Sequence, residues 1–306
     1  MISEDPVLWS PLRRKADLTL ASSFSLLPFQ TGKTFSLRAY AERRPHNSFL
    51  YLTFNKSGQE EADRSFSTSI LPYGKPNHKV KAQTTHSLAY RHWGRKAGTT
   101  LGDIYPKTAV KLIGSMLPSG KHTSGENAGK KMTDNAVAIY VCRTLKSFFS
   151  SNADEVSIEH VPWVLGQQTD LPSVGVLACA KELWAYILQG RDNEGEPVTT
   201  PHDAYVKELQ LEVSKGNFPD FLAEYDYLLL DEAQDLSDCQ CALFLRGAKQ
   251  SAIIVVGDEH QKLYAFRGAT GQPFDNRVFP PSKTFYFTKS FRFGNEVAKV
   301  ASTILR

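Results

Sequence analysis

Cysteine is scarce in this chain: four occur in 306 residues, at positions 142, 179, 239 and 241. Their spacing gives no disulfide framework. Cys239-x-Cys241 lacks both the two-residue spacing and the second ligand pair of a zinc site, so reduced core thiols are expected. No apolar run reaches the roughly 18 residues of a membrane span, and no signal-peptide pattern is present, which argues against membrane insertion and secretion. An excess of one charge is missing too, since 36 Lys and Arg stand against 32 Asp and Glu, a formal +4. That balance admits nucleic-acid binding through a local groove without arguing for it. Glycine is absent where a nucleotide loop needs it. The pattern G-x-x-x-x-G-K-[ST] places glycine five positions before Gly32, and Leu27 stands there, followed by Pro28 and Gln30. Backbone N–H groups wrap a phosphate closely only where no Cβ intrudes, so Gly32-Lys33-Thr34 alone is a weak signal of ATP binding.

What is present is stronger. Leu228-Leu229-Leu230 runs into Asp231-Glu232-Ala233-Gln234-Asp235. A strand buried on both faces reads as continuous hydrophobics, and ligands of such sheets sit beyond its C-terminal end, where Asp231 and Glu232 emerge. One carboxylate there can hold Mg2+ and the other can orient or deprotonate an attacking water. Taken alone, the pair reads as a solvated acidic turn. A second apolar run, Ile253-Ile254-Val255-Val256, ends in Gly257, Asp258 and Gln261 and continues into Tyr264, Phe266 and Arg267. An amide can read a terminal phosphate, and aromatic rings with a cation suit single-stranded nucleic acid.

These two runs resemble motifs II and III of the superfamily 1 helicases related to UvrD and Rep. Those motifs usually read DEAQD and GDxxQxIYxFRGA; this chain has DEAQD and GDEHQKLYAFRGA. Further runs match in order. Gly32-Lys33-Thr34 is similar to the end of motif I, Thr53-Phe54-Asn55-Lys56 to motif Ia, Thr84-Thr85-His86-Ser87 to motif Ib, and Ser290-Phe291-Arg292-Phe293-Gly294 to motif IV. The stretches 51–57, 143–149 and 290–294 resemble the eukaryotic F-box DNA helicase subgroup.

The resemblance implies an α/β fold: a RecA-like P-loop NTPase domain with a parallel sheet, interrupted by a mostly helical insertion. It implies a motor moving 3′ to 5′ on single-stranded DNA, with ATP and Mg2+ as cofactors and single-stranded and forked duplex DNA as partners, in recombination or replication-fork repair in the nucleus. Gly32 and Lys33 would hold the phosphates, and Thr34 and Asp231 the Mg2+. Glu232 would be the general base, Gln261 would couple the γ-phosphate to DNA contacts, and Arg292 would be an internal arginine finger. Phe54, Asn55, His86, Tyr264, Phe266 and Arg267 would line the DNA channel, where each stacked base contributes roughly 1–3 kcal/mol. No F-box is recognisable, so nothing points to a ubiquitin-ligase partner.

The departures set a second expectation. The loop glycines give way to Leu27 and Gln30, the usual adenine-reading glutamine has no counterpart before Gln30, and motif Ib carries Thr85 for its usual aromatic. Motifs V and VI are not in the sequence. The alternative reading is therefore a truncated, nucleotide-blind remnant that grips single-stranded DNA without turnover. Lys33 and Asp231 must meet at one phosphate although 198 positions separate them, which implies a large insertion. The expected organisation is an atypical segment at 1–30, motor domain 1A at 31–94 plus 216–282, a helical 1B-like insertion at 95–215, and the start of a second motor domain at 283–306. Within the insertion, apolar residues recur at three and four over 133–150 and 175–189, predicting helices, while 118–129 and 189–201 read as loops or partly disordered linkers.

Overall fold

The computed structural model describes residues 18–21, 32–67, 79–93, 100–163, 165–248, 251–258 and 283–285, together with Gln261, Phe274, Glu296, Val300 and Thr303. In chain order these form β1 (Leu18–Ala21), α1 (Lys33–Glu42), β2 (Phe49–Thr53), α2 (Lys56–Ser67), β3 (Val80–Thr84), α3 (Thr85–Trp93), β4 (Thr100–Leu101), α4 (Pro106–Ile113), α5 (Asp134–Ser150), α6 (Leu165–Gln168), α7 (Ser173–Gln189), β5 (Thr199–Thr200), α8 (His202–Ser214), α9 (Asp220–Ala223), β6 (Tyr227–Leu230), α10 (Asp238–Gly247), β7 (Ala252–Gly257) and β8 (Lys283–Phe285). The chain divides into two compact units. One comprises the described residues of Met1–Thr85, Phe218–Ser237 and Phe244–Arg306, and the other His86–Asn217 with Asp238–Leu243.

The first unit is a six-stranded sheet in the order β3-β2-β6-β7-β1-β8, with every pairing parallel. Parallel strands need crossovers that cover both faces, so their residues are buried on both sides. That is what Phe49–Thr53 shows, with all five residues buried. Leu37, Tyr40 and Ala41 of α1 and Ala62 and Phe66 of α2 share a core with Phe49, Tyr51, Leu229, Ile254 and Val256 of the strands. Tyr40 packs edge-on to Phe49 and Tyr227, whose rings stack 4.9 Å apart. The α/β parallel-sheet architecture read from the two apolar runs is the one observed. Two short strands fall where the sequence showed none: β1, inside the segment 1–30, lies between β7 and β8, and β8 keeps residues 283–285 in this same sheet.

The second unit is helical around a small parallel β4-β5 pair. Val137, Val141, Leu145 and Phe148 of α5 face Val176, Ala180, Leu183 and Ile187 of α7, with Ala109 and Ile113 of α4, in one apolar core. The Thr133 hydroxyl caps α5 by accepting from the Ala136 N–H at 3.2 Å, and Gly190, at φ 70°, ends α7 in the left-handed conformation. Both helices fall where the apolar periodicity placed them. The polar segments beside them are loops, one of the two forms expected, and each is closed by cross-chain pairing. Residues 120–132 fold back as a hairpin with Lys121 opposite Lys131, and Arg191 pairs with Pro197 across a turn in which Asp192 accepts from the N–H groups of Glu194 and Glu196. Composition does not report such cross-chain and side-chain-to-backbone bonds. Among the described residues no helix is long and apolar enough to cross a membrane.

Candidate nucleotide site

Within the sheet unit, the end of β6 and the start of α1 meet. Gly32 sits at φ 84°, a left-handed conformation that suits glycine, and its carbonyl accepts the first helical bond from the Ser36 N–H at 2.9 Å. The turn delivers Lys33 and Thr34 to the carboxylates 197 and more residues away. Thr34 Oγ1 donates to Asp231 Oδ2 at 2.9 Å, and Lys33 Nζ stands 3.3 Å from Glu232 Oε2. Lys33 is buried to 8% exposure, whereas the Glu232 side chain keeps 42%. These four side chains are the ones the sequence placed at one phosphate, and the structure brings them together.

Asp231 is the most enclosed of them. Its Oδ2 also accepts from the Tyr51 hydroxyl of the neighbouring strand β2, and its Oδ1 accepts from the Glu232 N–H at 2.9 Å. Burial pushes the Asp231 carboxyl above the usual carboxylate range, opposed chiefly by the Tyr51 hydrogen bond. Burial, followed by the charge of Asp231, pushes the Tyr51 phenol up as well, so the phenol keeps its proton and acts as the donor. The hydroxyl of Thr34 beside the Asp231 carboxylate is a hard oxygen set of the kind Mg2+ takes, and an ammonium at a helix N-terminus suits the phosphates that accompany it. The described residues therefore fit a Mg2+–nucleotide group.

Glu232 is the only described non-glycine residue at positive φ, with φ 50° and ψ 43°. A left-handed backbone costs an ordinary residue about 1–2 kcal/mol. Three contacts hold it there. Its N–H donates to Asp231, and its Oε2 takes Lys33 and also the Gln234 Nε2 at 2.7 Å. Gln234 accepts in turn from the Asp258 N–H at 2.9 Å, and Asp258 Oδ2 accepts from Gln261 Nε2 at 2.6 Å. A Cβ at Gly257 would stand 2.5 Å from Gln234 Oε1 and 2.5 Å from Phe274 Cζ, so the end of β7 must be glycine for the amide to lie against it. The sequence reading missed Gln234 and Tyr51. Gln234 was within reach as the amide inside DEAQD. Tyr51 carried no local signal, because it lies 180 positions from its partner.

The remaining candidates fall elsewhere. Phe54 and Asn55 follow β2, and the Asn55 side-chain oxygen caps α2 by accepting from the Gly58 N–H at 2.7 Å and the Ser57 hydroxyl at 2.9 Å. His86 belongs to the helical unit, where its Nε2 pairs with Asp203 at 2.9 Å and its ring meets Tyr205 edge-on. Leu27, Gln30, Tyr264, Phe266, Arg267 and Arg292 lie outside the described residues.

Comparison with known proteins agrees with the resemblance. Residues 205–277 match the UvrD/REP helicase N-terminal domain. The chain is 33% identical over 278 residues to F-box DNA helicase protein 1 of Schizosaccharomyces pombe and 31% identical over 284 residues to F-box DNA helicase 1 of Gallus gallus. Each alignment takes in 90% of this chain but only 30% and 25% of those relatives, so the chain spans less than a third of their length. A shorter match, 33% over 82 residues, joins it to the ATP-dependent DNA helicase Rep of Buchnera aphidicola.

Proposed function

We propose that this chain is the N-terminal motor portion of an ATP-dependent DNA helicase that moves 3′ to 5′ on single-stranded DNA. The observation that carries the reading is the meeting of Lys33 and Thr34 with Asp231 and Glu232 beyond the C-terminal end of β6, the position at which parallel α/β sheets take their ligands. The sheet unit corresponds to motor domain 1A and the helical unit to the 1B insertion. The helicase names of the relatives support DNA as the substrate, with single-stranded and forked DNA, recombination or fork repair, and a nuclear location as the finer reading.

The roles follow from the contacts. Lys33 neutralises the β- and γ-phosphates, while Thr34 and Asp231 hold Mg2+, which offsets phosphate charge when bound. Tyr51 and the Glu232 N–H fix the Asp231 carboxylate, so it meets the metal already oriented. Glu232 has Oε2 held by Lys33 and Gln234, leaving Oε1, on a partly exposed side chain, to take a proton from water. Once phosphates engage Lys33, Gln234 remains to hold the base. Gln261, tied to Asp258, is the γ-phosphate reader, with Arg292 as the arginine finger and Phe54, Asn55, His86, Tyr264, Phe266 and Arg267 as DNA contacts, all by motif position.

The test is nucleotide binding and DNA-stimulated ATP hydrolysis. Lys33→Ala is expected to abolish both, and Glu232→Gln to keep nucleotide binding while losing turnover by a factor of 100 or more, on the order expected for a general base. Tight binding of a labelled oligothymidine that ATP leaves unchanged, with no hydrolysis in the unsubstituted protein, sinks this reading and establishes the nucleotide-blind remnant.

A further inference from the structure

In the helical unit, the hairpin at 120–132 holds two lysines in an unfavourable position. The His122 N–H donates to the Lys130 carbonyl at 3.1 Å and the Met132 N–H to the Gly120 carbonyl at 2.8 Å. These two bonds flank Lys121 and Lys131, which face each other. They are therefore a non-hydrogen-bonded antiparallel pair, the arrangement that brings opposite side chains nearest, on one face of the ribbon. Like charges directly opposite one another are destabilising. Both lysines are exposed, and neither ammonium is ion-paired among the described residues. The one carboxylate at the base of the hairpin, Asp170, is turned to the backbone N–H of Lys121.

The chain keeps this pair on a rigid mount. The Thr123 N–H donates to the Gln168 carbonyl at 2.8 Å, and the Asp170 N–H to the Lys121 carbonyl at 3.1 Å. Met132 is buried in the core of the unit. At Gly120 a Cβ would come within 2.5 Å of Leu171, so the base of the hairpin lies tight against the body. The mount removes the freedom by which two flexible lysines would move their charges apart through the backbone. An anion between the two ammoniums would offset the repulsion that remains.

We propose that Lys121 and Lys131 form a two-ammonium grip for one phosphodiester of a nucleic-acid strand, a contact outside every helicase motif in the chain. Lysine binds phosphate as a point charge, so a facing pair tolerates any base sequence and suits a motor that must move along the strand. This contact rests on the DNA-binding reading above.

The experiment measures binding of a fluorescent oligothymidine by anisotropy across a salt series, together with thermal unfolding. Lys131→Glu places a carboxylate opposite Lys121. The expected result is a melting temperature equal to or above that of the unsubstituted protein, a several-fold loss of affinity at low salt, and a slope of log K against log salt shallower by about 0.7, the value for one single-strand phosphate. The double variant Lys121→Arg/Lys131→Arg keeps both affinity and slope. If Lys131→Glu does not fold, Lys131→Gln carries the same slope test. Unchanged affinity and slope in the variant overturn the grip and leave a solvated pair. An unsubstituted protein that binds no oligonucleotide overturns the DNA-binding reading itself, and the grip with it.

Discussion

Gln234 bonds in two directions with an amide that can point only one way. Its NH2 group faces the Glu232 carboxylate, an acceptor, and its oxygen faces the Asp258 N–H, a donor. Gln234→Leu removes both bonds, so turnover is expected to fall roughly 10- to 100-fold, the range seen when partners that orient reacting groups are lost, with nucleotide affinity nearly unchanged. Gly257→Ala drives a Cβ into the same amide and is expected to reproduce that loss. The two substitutions together should cost less than the sum of the two, since both disturb the Gln234 amide. Steady-state kinetics on the three variants decides it, and full additivity refutes a shared cause. Residues of this kind show how legibility falls off in the site. Asp231 and Glu232 were readable because an apolar strand announces its own end. Tyr51 was not, because only a strand pairing carries its hydroxyl to Asp231.

Among the elements, α5 depends on what holds its C-terminal end. Lys207 of α8 is fully buried, donates to the carbonyls of Ser151 and Ala153, and stands 4.3 Å from the Phe148 ring centroid. Those carbonyls lie just past the last turn of α5, where a cation is favourable. Lys207→Met keeps the stem but takes the donor from two part-buried carbonyls, a cost of up to about 1–3 kcal/mol for a group left unsatisfied, readable as a lower denaturant midpoint. Beside it, His160 is buried and shares hydrogen bonds with Ser151 and Ser157. Burial holds it below the ordinary histidine value, with the charge of Lys207 adding to the effect against the Ser157 carbonyl. With its folded value below its unfolded one, the unfolded chain binds the extra proton first, so stability is full above about pH 6.5 and is lost as pH falls. Thermal unfolding between pH 7.5 and 5 should show a steeper loss in the unsubstituted protein than in His160→Gln, and parallel curves refute this. The periodicity of 133–150 announced α5, but nothing local announced that a lysine more than 50 residues away would cap it.

On the scale of the whole molecule, all four cysteines are free and buried. Burial raises Cys142 and Cys179, pushes Cys239 up to about 12, and raises Cys241 as well. The thiolate is the reactive form. The native protein is therefore expected to show no reaction with an aromatic disulfide reagent near pH 8, and four reactive thiols after denaturation; reaction in the native state refutes the closed cores. The two units also explain where the expected boundaries and the structure part. The sequence placed joins at 94/95 and 215/216, from composition and motif spacing. The structure passes from one unit to the other at Thr85/His86 and Asn217/Phe218, and assigns Asp238–Leu243 to the helical unit. A unit is defined by which apolar faces share a core, and motif spacing reports that only indirectly.

The sequence by itself determined the α/β class, the helical insertion, and the residue types of the candidate nucleotide site, because continuous apolar runs, 3.6-residue periodicity and carboxylates after a buried strand are local signals. Only the tertiary structure decided which partners complete those residues: Tyr51 on Asp231, Gln234 between Glu232 and Asp258, Lys207 under α5, and Lys121 opposite Lys131. Each of these is a contact between stretches that local pattern treats as independent. The hydrogen bond or repulsion exists only once the sheet order, the helix packing or a hairpin register has fixed the distance.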